Sequence, residues 1–260
     1  MTVSEKNRRI YGLAKEYLIT HLPEGLRETD LDKYFKGDSI GAKNLRDVFI
    51  VFVQSAQEYQ RMPKVIQFVE RRGEIEKILQ GFDYKAVSKM DEMELYNRFR
   101  ERFKVTSKDS KMNSWYKWSC AVVDSAKFVN GFKDLADFNA FVKRFDYNSD
   151  TRMALPLLIS TKIRGVGFAL ACNALKELGY LDYPKPDVHM MDICEELELS
   201  SRSPYEVFEA IVKMAADNNV TPYEVDKVLW LISSGRYYHD GVTDKPRKEE
   251  FIEECKKRLA

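Results

Sequence analysis

Apolar positions in this chain recur at helical spacing almost throughout. Ile10, Leu13, Ala14, Tyr17 and Leu18 mark one stripe, and Val48, Val51, Phe52 and Ser55 a second. Val65, Phe68 and Val69 suggest a third. Leu155, Leu158, Ile159 and Ile163 line one face before a glycine turn; Phe168, Ala171, Leu175 and Leu178 line one face after it. No run alternates apolar and polar residues with the period of two that a half-buried strand requires. The expected fold class is therefore all-α, with about ten to twelve helices as an order-of-magnitude reading of the pattern.

Breaks fall at Leu22-Pro23-Glu24-Gly25, Lys36-Gly37-Asp38-Ser39, Arg72-Gly73, Asn130-Gly131 and Tyr183-Pro184. Two helix starts are well marked. Ser203 precedes Pro204 at a first helical position. Thr221-Pro222-Tyr223-Glu224 repeats the device, with Glu224 placed for a capping box. No internal repeat or low-complexity tract interrupts the pattern.

The most specific local feature is Ile163-Arg164-Gly165-Val166-Gly167, a two-glycine turn between helical stripes. Glycine amides can approach an anion closely because no Cβ stands in the way, and the following helix start is electropositive. Twenty residues past Gly167, Asp187-Val188-His189 opens a further helix behind Tyr183-Pro184-Lys185-Pro186. A phosphate is the anion that such a turn suits. A carboxylate nearby in sequence suggests chemistry on a nucleic acid.

Gly165-Val166-Gly167, the small-residue helix through Ala169, Ala171 and Ala174, and Pro186-Asp187-Val188-His189-Met190 together resemble the helix-hairpin-helix DNA glycosylases. The match covers about Leu155 to Leu197. The resemblance implies two helical domains with the DNA-binding hairpin at the cleft between them. A central helical barrel is expected over 45–165. A second domain is expected from both chain ends, 1–44 and 166–260, with the hairpin (about 153–179) at the junction. It implies a base-excision repair enzyme that hydrolyses the N-glycosidic bond of a damaged base, an oxidised or alkylated purine, in double-stranded DNA. Asp187 lies eighteen residues after Ala169, the position that carries the family's catalytic lysine. Asp187 takes the place of the catalytic aspartate, which stabilises the cationic sugar and directs water. With alanine at 169, the resemblance implies a monofunctional enzyme; Lys162 and Lys185 stand near, but not at, the lysine position.

The same resemblance implies further roles. The amides of Gly165, Val166, Gly167 and Ala169 grip a phosphate, and His189 contacts another. Arg164 replaces the family's usual proline and brings a cation to the turn. The main-chain carbonyls of Thr161, Ile163 and Val166 match those that hold a monovalent cation, Na or K; no other cofactor is implied. The segment Val53 to Arg61 resembles a polar helix start facing DNA, with Gln57 and Arg61 as candidate contacts. An extruded base needs aromatic faces, and Trp115, Trp118, Trp230 and Tyr237 are the candidates, with Tyr116 and Tyr238 beside them. The Asp-Val-His-Met run leans toward oxidised purines, whereas the absent lysine fits alkylated-base enzymes.

Composition narrows this picture. The formal net charge is only +1 over 260 residues, so a DNA-binding surface requires charge segregation. Arg102, Lys104, Lys108, Lys111 and Lys117 form one basic stretch, diluted by Glu101 and Asp109. Cys120, Cys172, Cys194 and Cys255 have no metal-ligand spacing, which argues against a zinc site or an iron–sulfur cluster. No signal peptide or spanning run is evident, so a monomer within the cell, in cytoplasm, nucleoid or nucleus, and away from membranes, is expected. Two other function classes fit parts of the pattern. A non-catalytic DNA-binding helix-hairpin-helix protein would need the turn but not Asp187. A helical protein-interaction domain would suit the near-neutral charge.

Overall fold

The apolar stripes become helices, and the described chain is all-α apart from one hairpin of two-residue strands. The computed structural model describes residues 1–37 and 41–259. Asp38 and Ser39 of the expected break at 36–39 lie outside the described residues. In chain order the helices are α1 (Val3–Thr20), α2 (Asp32–Phe35), α3 (Leu45–Gln57), α4 (Met62–Ile66), α5 (Arg72–Ile78), α6 (Tyr84–Val87), α7 (Glu92–Arg102) and α8 (Ser114–Val129). They continue with α9 (Leu135–Lys143), α10 (Ser149–Lys162), α11 (Phe168–Glu177), α12 (Val188–Glu196), α13 (Pro204–Asn218), α14 (Pro222–Ser234) and α15 (Lys248–Leu259). Between α14 and α15, β1 (Arg236–Tyr237) pairs antiparallel with β2 (Val242–Thr243).

The helices beyond the expected number are mostly single turns. α2, α4 and α6 have four or five residues each, too few to show a period. The two-residue strands escape a period-two search for the same reason. The stripe expected at Val65, Phe68 and Val69 is not one helix. α4 stops at Ile66 because Gln67 takes a left-handed conformation (φ 54°, ψ 56°). Only Phe68 of the three is buried, while Val69 is 66% exposed. Arg72-Gly73 starts α5 rather than breaking a helix. Thr221 caps α14 as expected, accepting the Glu224 N–H at 3.1 Å. The Glu224 carboxylate does not return the bond; it accepts from Tyr11 Oη at 2.6 Å and so ties α14 to α1. Ser203 stands at the cap of α13, but its side chain makes no capping bond.

The chain divides into two units. A terminal unit joins Met1–Ser39 with Gly179–Ala260, and a central unit comprises Ile40–Leu178. In the terminal unit, α1 packs on α13 and α14, and its core includes Ile10, Ala14 and Leu18 with Val207, Ile211, Val228 and Phe251. In the central unit, α3, α6 and α7 pack on α8 around Phe52, Phe99, Trp115 and Trp118. Each such side chain removed from water stabilises its unit by about 1.5–3 kcal/mol. The sequence expectation placed a boundary at 165/166, inside the hairpin; the division here comes after Leu178. α11 packs on both α10 and α3 and buries Ala171, Ala174 and Leu175, so both arms of the hairpin belong to the central unit.

The small net charge conceals a strong asymmetry. The central unit carries 24 Lys and Arg against 17 Asp and Glu, a net +7. The terminal unit carries 18 against 24, a net −6. Among the described residues, no helix is long and apolar enough to cross a membrane.

Candidate functional site

In the central unit, α10 ends where Ile163 leaves helical geometry (φ −124°, ψ 107°). The Val166 N–H donates to the Ile163 carbonyl at 3.1 Å, closing a turn whose third residue, Gly165, has φ +79°. A side chain at that angle would be strained, so the turn itself requires glycine here. Ile163 and Val166 are buried and anchor the turn from below.

Gly167 is different. It is the N-cap of α11 in ordinary extended geometry (φ −76°, ψ 177°), and a Cβ there would meet nothing within 4 Å. Neither backbone conformation nor packing inside the protein requires glycine at this position. α11 also lacks a side-chain cap, and the amides of Gly167 and Ala169 donate to no group among the described residues. The turn therefore presents unsatisfied N–H donors at a helix start over open space, the arrangement that holds anions. Among the described residues, the carbonyls of Thr161 and Val166 accept no backbone hydrogen bond, and that of Ile163 accepts one. Carbonyl oxygens of this kind can hold a monovalent cation; those of Thr161 and Ile163 stand at the C-terminus of α10, and that of Val166 follows the turn.

Arg164 turns away from that opening. Its Nε and Nη2 bond both oxygens of Asp124, at 2.6 and 2.9 Å, and its backbone N–H donates to Asp124 Oδ2 at 3.1 Å. Its Nη1 reaches Glu92 Oε1 at 3.0 Å. The Arg164 hydrogen bond holds the Glu92 carboxyl below its usual range, while Asp124 pushes the guanidinium above its own. The expected cation for a phosphate is thus a tether fixing the turn to α8 and to the first residue of α7. Asp124 and Glu92 went unnoticed in the sequence. Asp124 did carry a signal, as the one charged residue between Cys120-Ala121-Val122-Val123 and Ser125-Ala126 in α8.

In the terminal unit, Pro184 and Pro186 are buried and lead the chain to α12. The Lys185 N–H donates to Asp226 Oδ2 of α14 at 2.8 Å, which pins this segment. Asp187 is the N-cap of α12, and its Oδ1 accepts the N–H groups of His189 and Met190 at 3.0 and 3.3 Å. Its Oδ2 accepts no hydrogen bond among the described residues, so a half-buried carboxylate is held rigidly with one oxygen to spare. His189 lines a cleft of about 370 Å³ with Trp230, Ser233, Ser234 and Arg236. His189 Nδ1 and Ser233 Oγ are both buried and have no hydrogen-bond partner. Such groups are destabilising unless a ligand or water satisfies them. The sequence singled out His189 for a phosphate and Trp230 for a base, but not Ser233 and Arg236; α14 and β1 bring Trp230, Ser233 and Arg236 to His189 at this cleft.

Other candidates have structural positions. Trp115 and Trp118 are 2% and 0% exposed, stacked among Phe99 and Phe103, and Trp118 Nε1 donates to the Val53 carbonyl at 3.0 Å. Both rings are core packing with no face open to a base. Tyr237 is also buried, in the core of the terminal unit. Tyr116 is partly buried, with its ring against Tyr96, and Tyr238 is exposed beside Trp230. Residues 53–61 form the end of α3 and the turn into α4, whose N-cap is Arg61. Gln57 is buried there, accepting the Phe68 N–H at 3.1 Å, which occupies the group expected to reach DNA. Arg61, before α4, is exposed. Ala169 lies in the first turn of α11, Lys162 is exposed at the end of α10, and Lys185 is partly buried. All four cysteines are buried and none is in a disulfide among the described residues, where no cluster of three or more His, Cys, Asp or Glu suited to a metal occurs either. Compared with known proteins, the chain matches no family model, no curated protein and no solved structure.

Proposed function

We propose that this protein is a DNA glycosylase of the helix-hairpin-helix type, hydrolysing the N-glycosidic bond of a damaged purine, oxidised or alkylated, in duplex DNA. The observation that carries the reading is Gly167, an exposed N-cap where neither steric fit nor backbone angle calls for glycine, which leaves uncapped α11 amides approachable. A DNA phosphate is the anion that fits, and the net +7 of the surrounding unit favours it. A monovalent cation on the Thr161, Ile163 and Val166 carbonyls would add positive charge toward the same phosphate.

Asp187 supplies the chemistry. As the base departs, positive charge grows on the deoxyribose. A carboxylate fixed by two backbone bonds, with Oδ2 uncommitted, can stabilise that charge and orient the attacking water. His189 is the partner for a neighbouring phosphate. With alanine at position 169, water rather than an amine attacks C1′, and the product is an abasic site in an intact strand.

The test is a panel of duplexes, each carrying one lesion, assayed for alkali-labile abasic sites with wild type and Asp187→Asn. Asparagine keeps the cap but removes the charge. Base release should fall by more than about a hundredfold while DNA binding stays near wild type. Normal excision by Asp187→Asn sinks the mechanism. DNA binding by wild type without release of any lesion favours the non-catalytic binding protein.

A further inference from the structure

We infer that the loop between α7 and α8, residues 103–113, is a second contact for the nucleic-acid backbone, independent of the glycine turn. Lys104, Lys108 and Lys111 are all exposed on it, and none has a carboxylate within ion-pair distance among the described residues. Their neighbours behave otherwise: Arg98 pairs with Glu94, and Arg102 with Glu74. The loop's one acidic residue is Asp109. Three uncompensated ammonium groups on one short loop raise its local potential above that of the unit around it.

The loop is built rather than slack. Lys104 takes a left-handed conformation (φ 49°), and the Val105 N–H donates to the Arg100 carbonyl at 3.0 Å. Arg100 Nη1 donates to the Ser107 carbonyl at 2.9 Å. Asn113 Nδ2 bonds Ser107 Oγ at 2.9 Å and the Lys108 carbonyl at 3.0 Å, while Asn113 Oδ1 caps α8. Phe103, the loop's first residue, stacks on Trp115 of α8 at 4.9 Å and roots the loop in the core. A backbone held this way loses little further conformational entropy on binding. Met112, 75% exposed beside Lys111, adds an apolar group that a nucleic-acid groove can accept.

The partner is duplex DNA. The glycine turn, with its open anion-seeking amides, lies in the same unit, and the unit's net +7 complements a polyanion. A membrane surface fits less well, because one methionine is the loop's only largely exposed hydrophobic side chain. The choice of partner rests on the proposed DNA reading; the loop's part in it is tested separately.

The experiment compares wild type with the combined variant Lys104→Gln, Lys108→Gln and Lys111→Gln. Binding to a lesion-free duplex is measured across a salt series, and circular dichroism checks the fold. Each lysine–phosphate contact contributes roughly 0.9 to the slope of log K against log salt. The variant's slope should therefore be shallower by about two to three, with binding weakened for every sequence alike. An unchanged slope in a folded variant overturns the loop assignment and leaves the functional reading standing. A loss confined to anionic phospholipid vesicles, with DNA binding intact, also overturns it. If wild type itself shows no salt-sensitive duplex binding, the functional reading falls, and the loop's partner with it.

Discussion

Gly167→Ala separates what the protein needs for itself from what it reserves for a ligand. Alanine accepts φ −76° and ψ 177° without strain, and its Cβ would meet no atom within 4 Å. As an N-cap, alanine is worse than glycine by about 0.5–1 kcal/mol. Restricting the unfolded chain returns about 0.4–1 kcal/mol. Net stability should thus change by less than about 1 kcal/mol. A methyl group over the uncapped amides keeps a phosphate oxygen from closing on them. Loss of one hydrogen bond to a charged acceptor weakens binding by about 1.5–3 kcal/mol, about ten- to hundredfold in Kd. Gly165→Ala is the contrast, since φ +79° forces alanine into left-handed geometry at about 1–2 kcal/mol of folding stability. Urea denaturation and fluorescence-anisotropy titration with a duplex containing an abasic-site analogue give the two readouts. Gly167→Ala should melt like wild type and bind poorly. If it binds like wild type, no anion approaches this turn closely, and the reasoning from the open glycine fails.

Three further outcomes are expected. Borohydride should trap no covalent adduct between wild type and lesion DNA, because Ala169 offers no amine; a trapped adduct would move the nucleophile to Lys162 or Lys185. Native protein should react slowly with a thiol reagent and expose all four cysteines on denaturation, since burial pushes the Cys194 and Cys255 thiols up to about 12; fast native labelling of those two contradicts their burial. Arg164 holds the Glu92 carboxyl below its ordinary 4.5, so this contact contributes stability above that pH and loses it as pH falls through the lower folded value. The stability deficit of Glu92→Gln against wild type should be present at about pH 6 and shrink toward about pH 3; a constant deficit refutes the assignment.

Long amphipathic helices were legible because their cores are set by period alone. α1 buries the five stripe residues Ile10, Leu13, Ala14, Tyr17 and Leu18. Short elements were not, because a four-residue helix such as α6 is held by Asp83 capping and packing on α8. Val65 and Val69 misled for a related reason: hydrophobic spacing says nothing about a left-handed Gln67 between them. Aromatic side chains were the least legible. Trp115 and Trp230 look alike in sequence, but one is stacked in a core and the other lines a cleft. That difference depends on what returns to pack against each, which spacing along the chain does not encode.

Arg164 shows how a residue type can be right about charge and uninformative about direction. Proline, the residue the resemblance leads one to expect, stiffens a turn by fixing φ, but it lacks an N–H. Here the Arg164 N–H is used, and the guanidinium adds two bonds to the same Asp124 carboxylate. The turn is therefore fixed from outside, by a side chain on α8, instead of by its own covalent ring. Asp124 is only 12% exposed while Arg164 is half-exposed, so it is loss of the arginine that leaves a poorly solvated charge behind, on Asp124. The consequence reaches the proposed site. With Arg164 committed to the scaffold, its charge is neutralised locally, and the donors left at the turn are backbone amides held in a fixed geometry. A phosphate held there is recognised by the shape of the turn, while long-range attraction is left to lysines elsewhere on the unit.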